Sequence, residues 1–392
     1  MTLLFLSYWG IDEGLTQSTV VPHVKLLASF ESVESVVLCT IERQSSFSLF
    51  QWEKILHVPL VSKNYSNVIV NKVSDFVTFS KSIQQLVREK NVGLMICRTS
   101  LAGAIGYLVH RATGIKYIVE SYEPHALYML ESKVWKKWDP RYWLERAFQA
   151  LQNKTATFLL PVSSHYASFL EEQGVSKSKI MVVPCVVDHN LFVRKHTQEG
   201  RNALNISQDA TVGIYVGKFD GLYYDREAFE IFALARKIFP KFKMIVLTPH
   251  PSEEITLKMT RAGFDEDEYI VKNVPYRDVP RYLSMSDFAF ATYKPSPSKR
   301  FLSPIKVGEY WSCGLPVMLT KGVGDDADII HASGCGSIFS FEDKDGAAGL
   351  HQIAMQLSDS NVREKQFALA RQYRNVMLLE KAYHRIIHEF IG

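Results

Sequence analysis

Short runs of apolar, often β-branched residues recur along the chain, and between them lie stretches whose apolar residues return every three or four positions. LLFLSY (3–8), SVVLCTI (35–41), GLMIC (93–97), YIVES (117–121), FLLPV (158–162) and IMVVP (180–184) form one series of predicted strands. VGIYVG (212–217), FKMIVL (242–247), YIV (269–271), DFAFA (287–291), PVML (316–319) and GSIFS (336–340) form a second. Strands that are apolar at consecutive positions are buried on both faces, the condition of a parallel sheet with helices on either side. One polar segment, VDHNLFVRKHTQEGRNALNISQDA (187–210), interrupts the alternation. The pattern predicts an α/β protein of two doubly wound, Rossmann-like domains, 1–194 and 195–365, facing across a cleft at the carboxyl ends of their strands, where such sheets bind ligands. A long helical pattern follows, QFALARQYRNVMLLEKAYHRIIHEF, within 362–392.

The segment FLSPIKVGEYWSCGLPVML (301–319) is the most informative for chemistry. Ser303 suits a helix N-cap, Pro304 the first helical position and Gly314 the left-handed residue past the end, with Pro316 blocking continuation. These residues predict a helix over 304–313. Its N-terminus would attract an anion, and Lys306 in the first turn adds a full positive charge against the dipole. The competing reading is a surface lysine on a well-capped helix. One turn on, Glu309 could accept two hydrogen bonds from a vicinal diol such as a ribose, or simply pair with Lys306 at i, i+3.

Other candidates lie just after predicted strands. Gly10 and Gly14 flank a polar loop after the first strand, either a ligand-facing loop or an ordinary turn, and no GxGxxG dinucleotide fingerprint occurs there. Gly217 and Lys218 come at the carboxyl end of the first strand of the second series, where a cation could reach a phosphate. Glu120 lies near the end of YIVES with Glu123 and His125 just after it, and Arg98 follows GLMIC. His125 suits a role toward sugar hydroxyls or a proton, against the alternative of a structural histidine. Between 132 and 154, Trp135, Trp138, Trp143 and a tyrosine interleave with six Lys/Arg. That mixture suits an anionic membrane surface, unless the tryptophans pack inside.

At 392 residues with 47% hydrophobic and 22% charged, the chain has room for two globular domains. A net charge of +4 suits anionic small ligands and is far from that of a nucleic-acid binder, so no nucleic acid is expected. Cys39, Cys97, Cys185, Cys313 and Cys335 lack metal-ligand spacing and read as reduced, mostly buried thiols. Asp265-Glu266-Asp267 lies in a polar turn, not at a strand end, so neither a metal nor another cofactor is expected. MTLLFLSYWG lacks the features of a signal peptide, and no apolar run is long enough to span a bilayer. The expected location is cytoplasmic, or peripheral at the inner face of the membrane.

With these residues in view, the second half resembles the donor-binding domain of retaining glycosyltransferases of family 4, which have the GT-B fold. The resemblance runs through VVPCVVDHNLF (182–192), YVGK (215–218), DFAFA (287–291), SPIKVGEYWSCGLPV (303–317) and GVGDDADII (322–330). The first half matches only in layout. The resemblance implies an acceptor-binding domain over 1–194, a donor-binding domain over 195–365, and a C-terminal helix, 366–392, that crosses back to the first domain. It implies catalytic roles for Lys218, Lys306 and His125. Gly217, Ser303, Pro304, Ile305 and Glu309 would hold the donor together with Gly10 and Gly14, while Glu123 and Arg98 would lie on the acceptor side. The implied partners are a nucleotide-diphosphate sugar, a UDP-sugar favoured, and a glycan or lipid-linked acceptor, with retention of configuration. Many family members carry a glutamate eight positions before Glu309; here that position is Phe301, within a Ser-Pro-x-Lys variant. Cys185-Val186-Val187 likewise stands in place of the family's Asn-Gly-Val. The rival readings are a nucleotide-sugar epimerase or hydrolase on the same fold, and a degenerate nucleotide-sugar binding protein.

Overall fold

A computed structural model of the chain describes residues 1–44, 46–63 and 68–391. They form two compact units: Met1–Pro184 together with Met377–Gly392, and Cys185–Val376.

The first unit is built on β1 (Thr2–Ser7), β2 (Ser35–Glu42), β3 (Gln51–Trp52), β4 (Ile55–Val61), β5 (Val92–Arg98), β6 (Lys116–Ser121) and β7 (Phe158–Pro161). Among the described residues these make a seven-stranded sheet in the order β3-β4-β2-β1-β5-β6-β7. All neighbours are parallel except β3 and β4. The chain moves outward in one direction from β1 and then returns to β5 on its other side. Residues after β1 and β5 therefore border the switch point where doubly wound sheets bind ligands.

The second unit contains β8 (Val212–Val216), β9 (Lys243–Leu247), β10 (Tyr269–Lys272), β11 (Phe288–Ala291), β12 (Val317–Thr320) and β13 (Ser337–Phe339). They form a wholly parallel sheet in the order β10-β9-β8-β11-β12-β13, with the switch point between β8 and β11. Alternation along each strand feeds two separate cores. Val212, Ile214, Val216, Ala289 and Leu319 pack on one face with Val307, Tyr310 and Trp311. Tyr215, Met244, Phe288, Phe290 and Met318 pack on the other, against Phe229 and Phe232. That two-sided burial is why the strands read as unbroken apolar runs.

Three sequence expectations are corrected. IMVVP (180–184) is not a strand; Ile180 makes one bridge to Leu159, and Met181 and Val183 donate to the carbonyls of Leu159 and Pro161 along the edge of β7. β3 and β4 lie outside the expected strands: β3 is two exposed residues, too short for a pattern, and ILHVPLV in β4 carries a histidine and a proline, which cannot donate to the ladder. The helical pattern after 362 is two helices, Val362–Tyr373 and Val376–Ile391. It breaks at Arg374, whose carbonyl accepts from Val187 N–H, not from the next helical turn. From Met377 onward the last helix belongs to the first unit. The five cysteines are all buried and unbridged.

Candidate functional site

In the second unit the helix Ile305–Ser312 leads away from the carboxyl end of β11. Pro304 is its cap residue and not its first helical one, and no side chain caps its N-terminus. Val307 N–H turns back to the Pro304 carbonyl, and the N–H groups of Ile305 and Lys306 are left for an outside acceptor. Lys306 Nζ lies 2.9 Å from Glu309 Oε2, and Tyr276 donates its hydroxyl to Glu309 Oε1 at 2.9 Å. Glu309 is 0% exposed, whereas the Lys306 side chain keeps 26% exposure. The predicted i, i+3 pair therefore exists, but as a buried carboxylate held from two sides with its cation reaching out. The Lys306 ammonium also sits 5.3 Å above the Tyr276 ring. Burial, then the Glu309 carboxylate, push the Tyr276 phenol far up, so it remains a donor at neutral pH.

The next residue along this helix fastens it to β8. Tyr310 accepts from Val216 N–H at 3.0 Å, and Gly217 N–H donates to Leu247 at 2.9 Å. Lys218 follows directly, exposed, with its carbonyl accepting from the Tyr215 hydroxyl. Lys218 and the helix bearing Lys306 thus meet the same switch point through one tyrosine. Gly314 ends the helix at φ +73°, as the sequence predicts.

Ser303 does not cap. Its hydroxyl is buried and accepts from Cys185 N–H at 3.2 Å and from the Arg374 guanidinium, which also pairs with Asp326. A buried guanidinium needs all the acceptors it can reach, and this one draws Ser303 away from the helix end. The loop is fixed from a second side by Gly324, at φ +57°, where a Cβ would meet Leu302 O at 2.2 Å. Burial pushes the Asp326 carboxyl up to about 6 although Arg374 opposes it. Phe301 is buried, with the Arg300 guanidinium 4.8 Å from its ring, so a side chain at this position serves the interior.

The first unit contains a different charged cluster. Arg98 is 2% exposed and donates to Glu120 Oε2 at 2.7 Å and to the Tyr122 hydroxyl at 2.9 Å. Glu120 Oε1 accepts from Tyr383 OH at 2.5 Å, and that hydroxyl lies 2.7 Å from His23 Nδ1. The predicted acceptor-side arginine is thus committed inside the unit. Burial lowers the His23 pKa, so the ring is neutral near pH 7. Burial alone would raise Glu120, but His23, Arg98 and Tyr383 together bring its carboxyl down to about 2. At Gly10 the close neighbour is Glu42, whose carboxylate a Cβ would meet at 2.5 Å; Gly14 opens a short helix with open space around it. His125 and Glu123 do come together, Nδ1 to Oε1 at 3.0 Å, with the imidazole edge-to-face on Trp135 at 5.6 Å.

Of the three tryptophans in 132–154, Trp135 is buried, while Trp138 and Trp143 are 76% and 54% exposed beside exposed Val134 and Leu144. Lys133, Lys136 and Lys137 are exposed in the same stretch. Among the described residues no helix is long and apolar enough to cross a membrane.

Sequence reasoning missed Tyr276, Tyr310, Arg374 and Tyr383. Tyr276 had a faint signal, an aromatic just after the strand YIV; the others sit mid-helix or between helices with nothing local to mark them.

No family model matches the chain, and no curated protein matches it in sequence. Solved structures match it from end to end. Sucrose-phosphate synthase from Thermosynechococcus elongatus is 14% identical, with 100% of this chain and 99% of that one aligned at a TM-score of 0.79. Anabaena Alr3699/HepE in complex with UDP is 14% identical over 99% of this chain and 100% of that one, TM-score 0.72. WaaG, a glycosyltransferase involved in lipopolysaccharide biosynthesis, is 14% identical over 98% and 99%, TM-score 0.70. These likenesses establish the fold: two parallel-sheet α/β domains of the GT-B type.

Proposed function

We propose that this chain is a glycosyltransferase that moves a sugar from a nucleotide-diphosphate donor, a UDP-sugar in first preference, to a glycan or lipid-linked acceptor. Transfer would retain anomeric configuration and need no bound metal. The observation that carries the reading is the helix Ile305–Ser312, with an uncapped N-terminus, Lys306 in its first turn and buried Glu309 one turn later, fastened by Tyr310 beside Lys218. In this reading the helix N–H groups, Lys306 and Lys218 neutralise the charge that collects on the departing diphosphate. The Glu309 oxygen now paired with Lys306 would turn to the ribose hydroxyls while Tyr276 keeps hold of the other. No dedicated nucleophile is required if the acceptor hydroxyl attacks on the leaving-group face. Glu123 and His125 position the transferred sugar or its acceptor. HepE has been solved with UDP, with UDP-glucose and with UDP and glucose, which supports a uridine donor.

Thermal stabilisation by UDP, GDP, ADP and CMP tests the donor site, because a ligand that binds only the folded state raises the melting temperature by mass action. One diphosphate, UDP first, is expected to shift wild type and to shift neither Lys306→Ala nor Glu309→Gln. Absence of any shift sinks the assignment. Consumption of UDP-glucose that proceeds equally without any acceptor would favour the epimerase or hydrolase reading, and binding with no turnover the degenerate one. Loss of turnover in EDTA would remove the metal-independent mechanism.

The exposed Trp138, Trp143 and their lysines are read as a contact for an anionic membrane surface. Co-sedimentation with phosphatidylserine vesicles, but not with phosphatidylcholine vesicles, is expected, and to fall in Trp138→Ser/Trp143→Ser. Equal behaviour of both proteins would count against it.

A further inference from the structure

Beneath the loop that carries Glu123 and His125, the first unit has a half-open cavity of about 420 Å³. Small-molecule sites generally measure about 300–1,000 Å³. Its floor is the carboxyl ends of β6 and β7, and its walls are the helices Pro140–Thr155 and Ser164–Glu172. Four carboxamides line it, from Gln149, Gln152, Asn153 and Gln173. The rings of Tyr142, Tyr166 and Phe169 belong to the same lining. Among the described residues, Arg146, exposed, is the one charged residue of the lining.

Two of these carboxamides carry the argument. Gln152 is buried and anchored, its Nε2 donating to Ser100 O at 2.9 Å. Gly103 leaves room for it, since a Cβ there would meet Gln152 Oε1 at 2.4 Å. Gln149 has the opposite character: its Nε2 is buried and has no partner. A buried amide donor left unpaired is costly, and Gln149 belongs to the cavity lining, so a turn of its side chain toward a polar ligand entering the cavity would satisfy it.

We propose that this cavity binds a neutral sugar unit. A carboxamide presents a donor and an acceptor side by side, matching a pair of neighbouring hydroxyls. Aromatic rings supply the apolar wall against which the C–H face of a pyranose packs. An apolar ligand would leave the Gln149 amide unpaired. A multiply charged ligand would find only Arg146. The cavity is lined by Pro124 and Ala126, the neighbours of His125 in sequence. For its biological role the inference rests on the glycosyltransferase reading, in which the cavity anchors a sugar of the acceptor glycan set back from the reacting end; the binding itself does not depend on that reading.

Saturation-transfer NMR on the full-length protein tests it, with methyl glucoside, methyl galactoside and methyl N-acetylglucosaminide as probes, cyclohexanol as the apolar control and UDP in a parallel arm. At least one glycoside is expected to bind in preference to cyclohexanol. Gln149→Leu should weaken that binding about fivefold. Its melting temperature should hold or rise, since an unpaired buried amide has been removed. Ala150→Trp, from an exposed position on the lining, should block binding, and UDP binding should survive in both variants. Transfer to none of the glycosides, transfer unchanged by both variants, or preference for cyclohexanol would overturn the proposal. Failure of UDP alone would sink the donor reading and leave this one standing.

Discussion

Glu120 in the first unit and Glu309 in the second have much in common. Each is shut away from solvent, accepts from a tyrosine hydroxyl and faces a cation. The cations differ. Arg98 is itself buried and divides its donors between Glu120 and Tyr122, with the Tyr122 hydroxyl held in turn by Thr19. That cluster closes on itself and joins β5, β6, the first helices and the last one. Lys306 reaches its carboxylate from a partly exposed position, at the end of a helix whose N–H groups have no side-chain cap. A closed cluster stabilises a fold, while one that leaves a cation at the surface can exchange its partner for a ligand. Charged residues after parallel strands are therefore not interchangeable as candidates; the deciding property is whether the positive end is already committed.

The sharpest way to break the comparison is Glu120→Ala. It leaves Arg98 buried without its carboxylate, which costs about 3–5 kcal/mol. Calorimetry should show a lower melting temperature, with any nucleotide shift retained, the reverse of Lys306→Ala. Loss of the nucleotide shift with unchanged stability would mean that the first-unit cluster serves ligands after all.

Acid should separate the two sites less drastically. His23 is neutral in the folded unit, and unfolding frees it to bind a proton, so its contribution is present above about 6.5 and is lost as pH falls below it. Glu120, held at about 2, adds a second loss as pH falls through the ordinary carboxylate range. His23 should therefore pull the melting temperature down below about pH 6.5, and His23→Gln should remove that share of the profile. Asp326, raised to about 6, works in the other direction: its contribution is full below the unfolded value and is lost as pH rises through 6. A profile unchanged by His23→Gln would show that the ring does not titrate with folding.

The smallest effect is expected from Tyr276→Phe. Losing the hydroxyl that holds Glu309 should weaken nucleotide binding by about 1 kcal/mol, roughly fivefold, with little change in melting temperature. Equal affinity would mean that Lys306 alone orients the carboxylate.

Much of the scaffold was legible because strands buried on two faces write themselves as apolar runs and because Gly314 punctuates its helix. Lys306 and Glu309 were legible as a pair through their helical spacing. Ser303 was misread because its competitor for hydrogen bonds, Arg374, lies 71 residues away. Tyr383 and His23 are 360 residues apart, and no periodicity in either helix reports that they share a hydrogen bond. Gly10 looked like a place for a ligand because the rule that a glycine marks a close approach does not say what approaches; here it is the Glu42 carboxylate.

The first unit's chain is interrupted by the whole of the second, since Met377–Gly392 follows Cys185–Val376. During synthesis, then, the hydroxyl that completes the Glu120 cluster leaves the ribosome only after roughly 200 residues beyond Pro184 have been made. At about 5–20 residues per second that is a delay of roughly 10–40 s. The second unit, drawn from one continuous stretch, can finish folding before the first, which began emerging earlier. A nascent chain arrested ahead of Tyr383 would carry Glu120 and His23 without their shared partner, and is the species in which assistance from a chaperone should matter most.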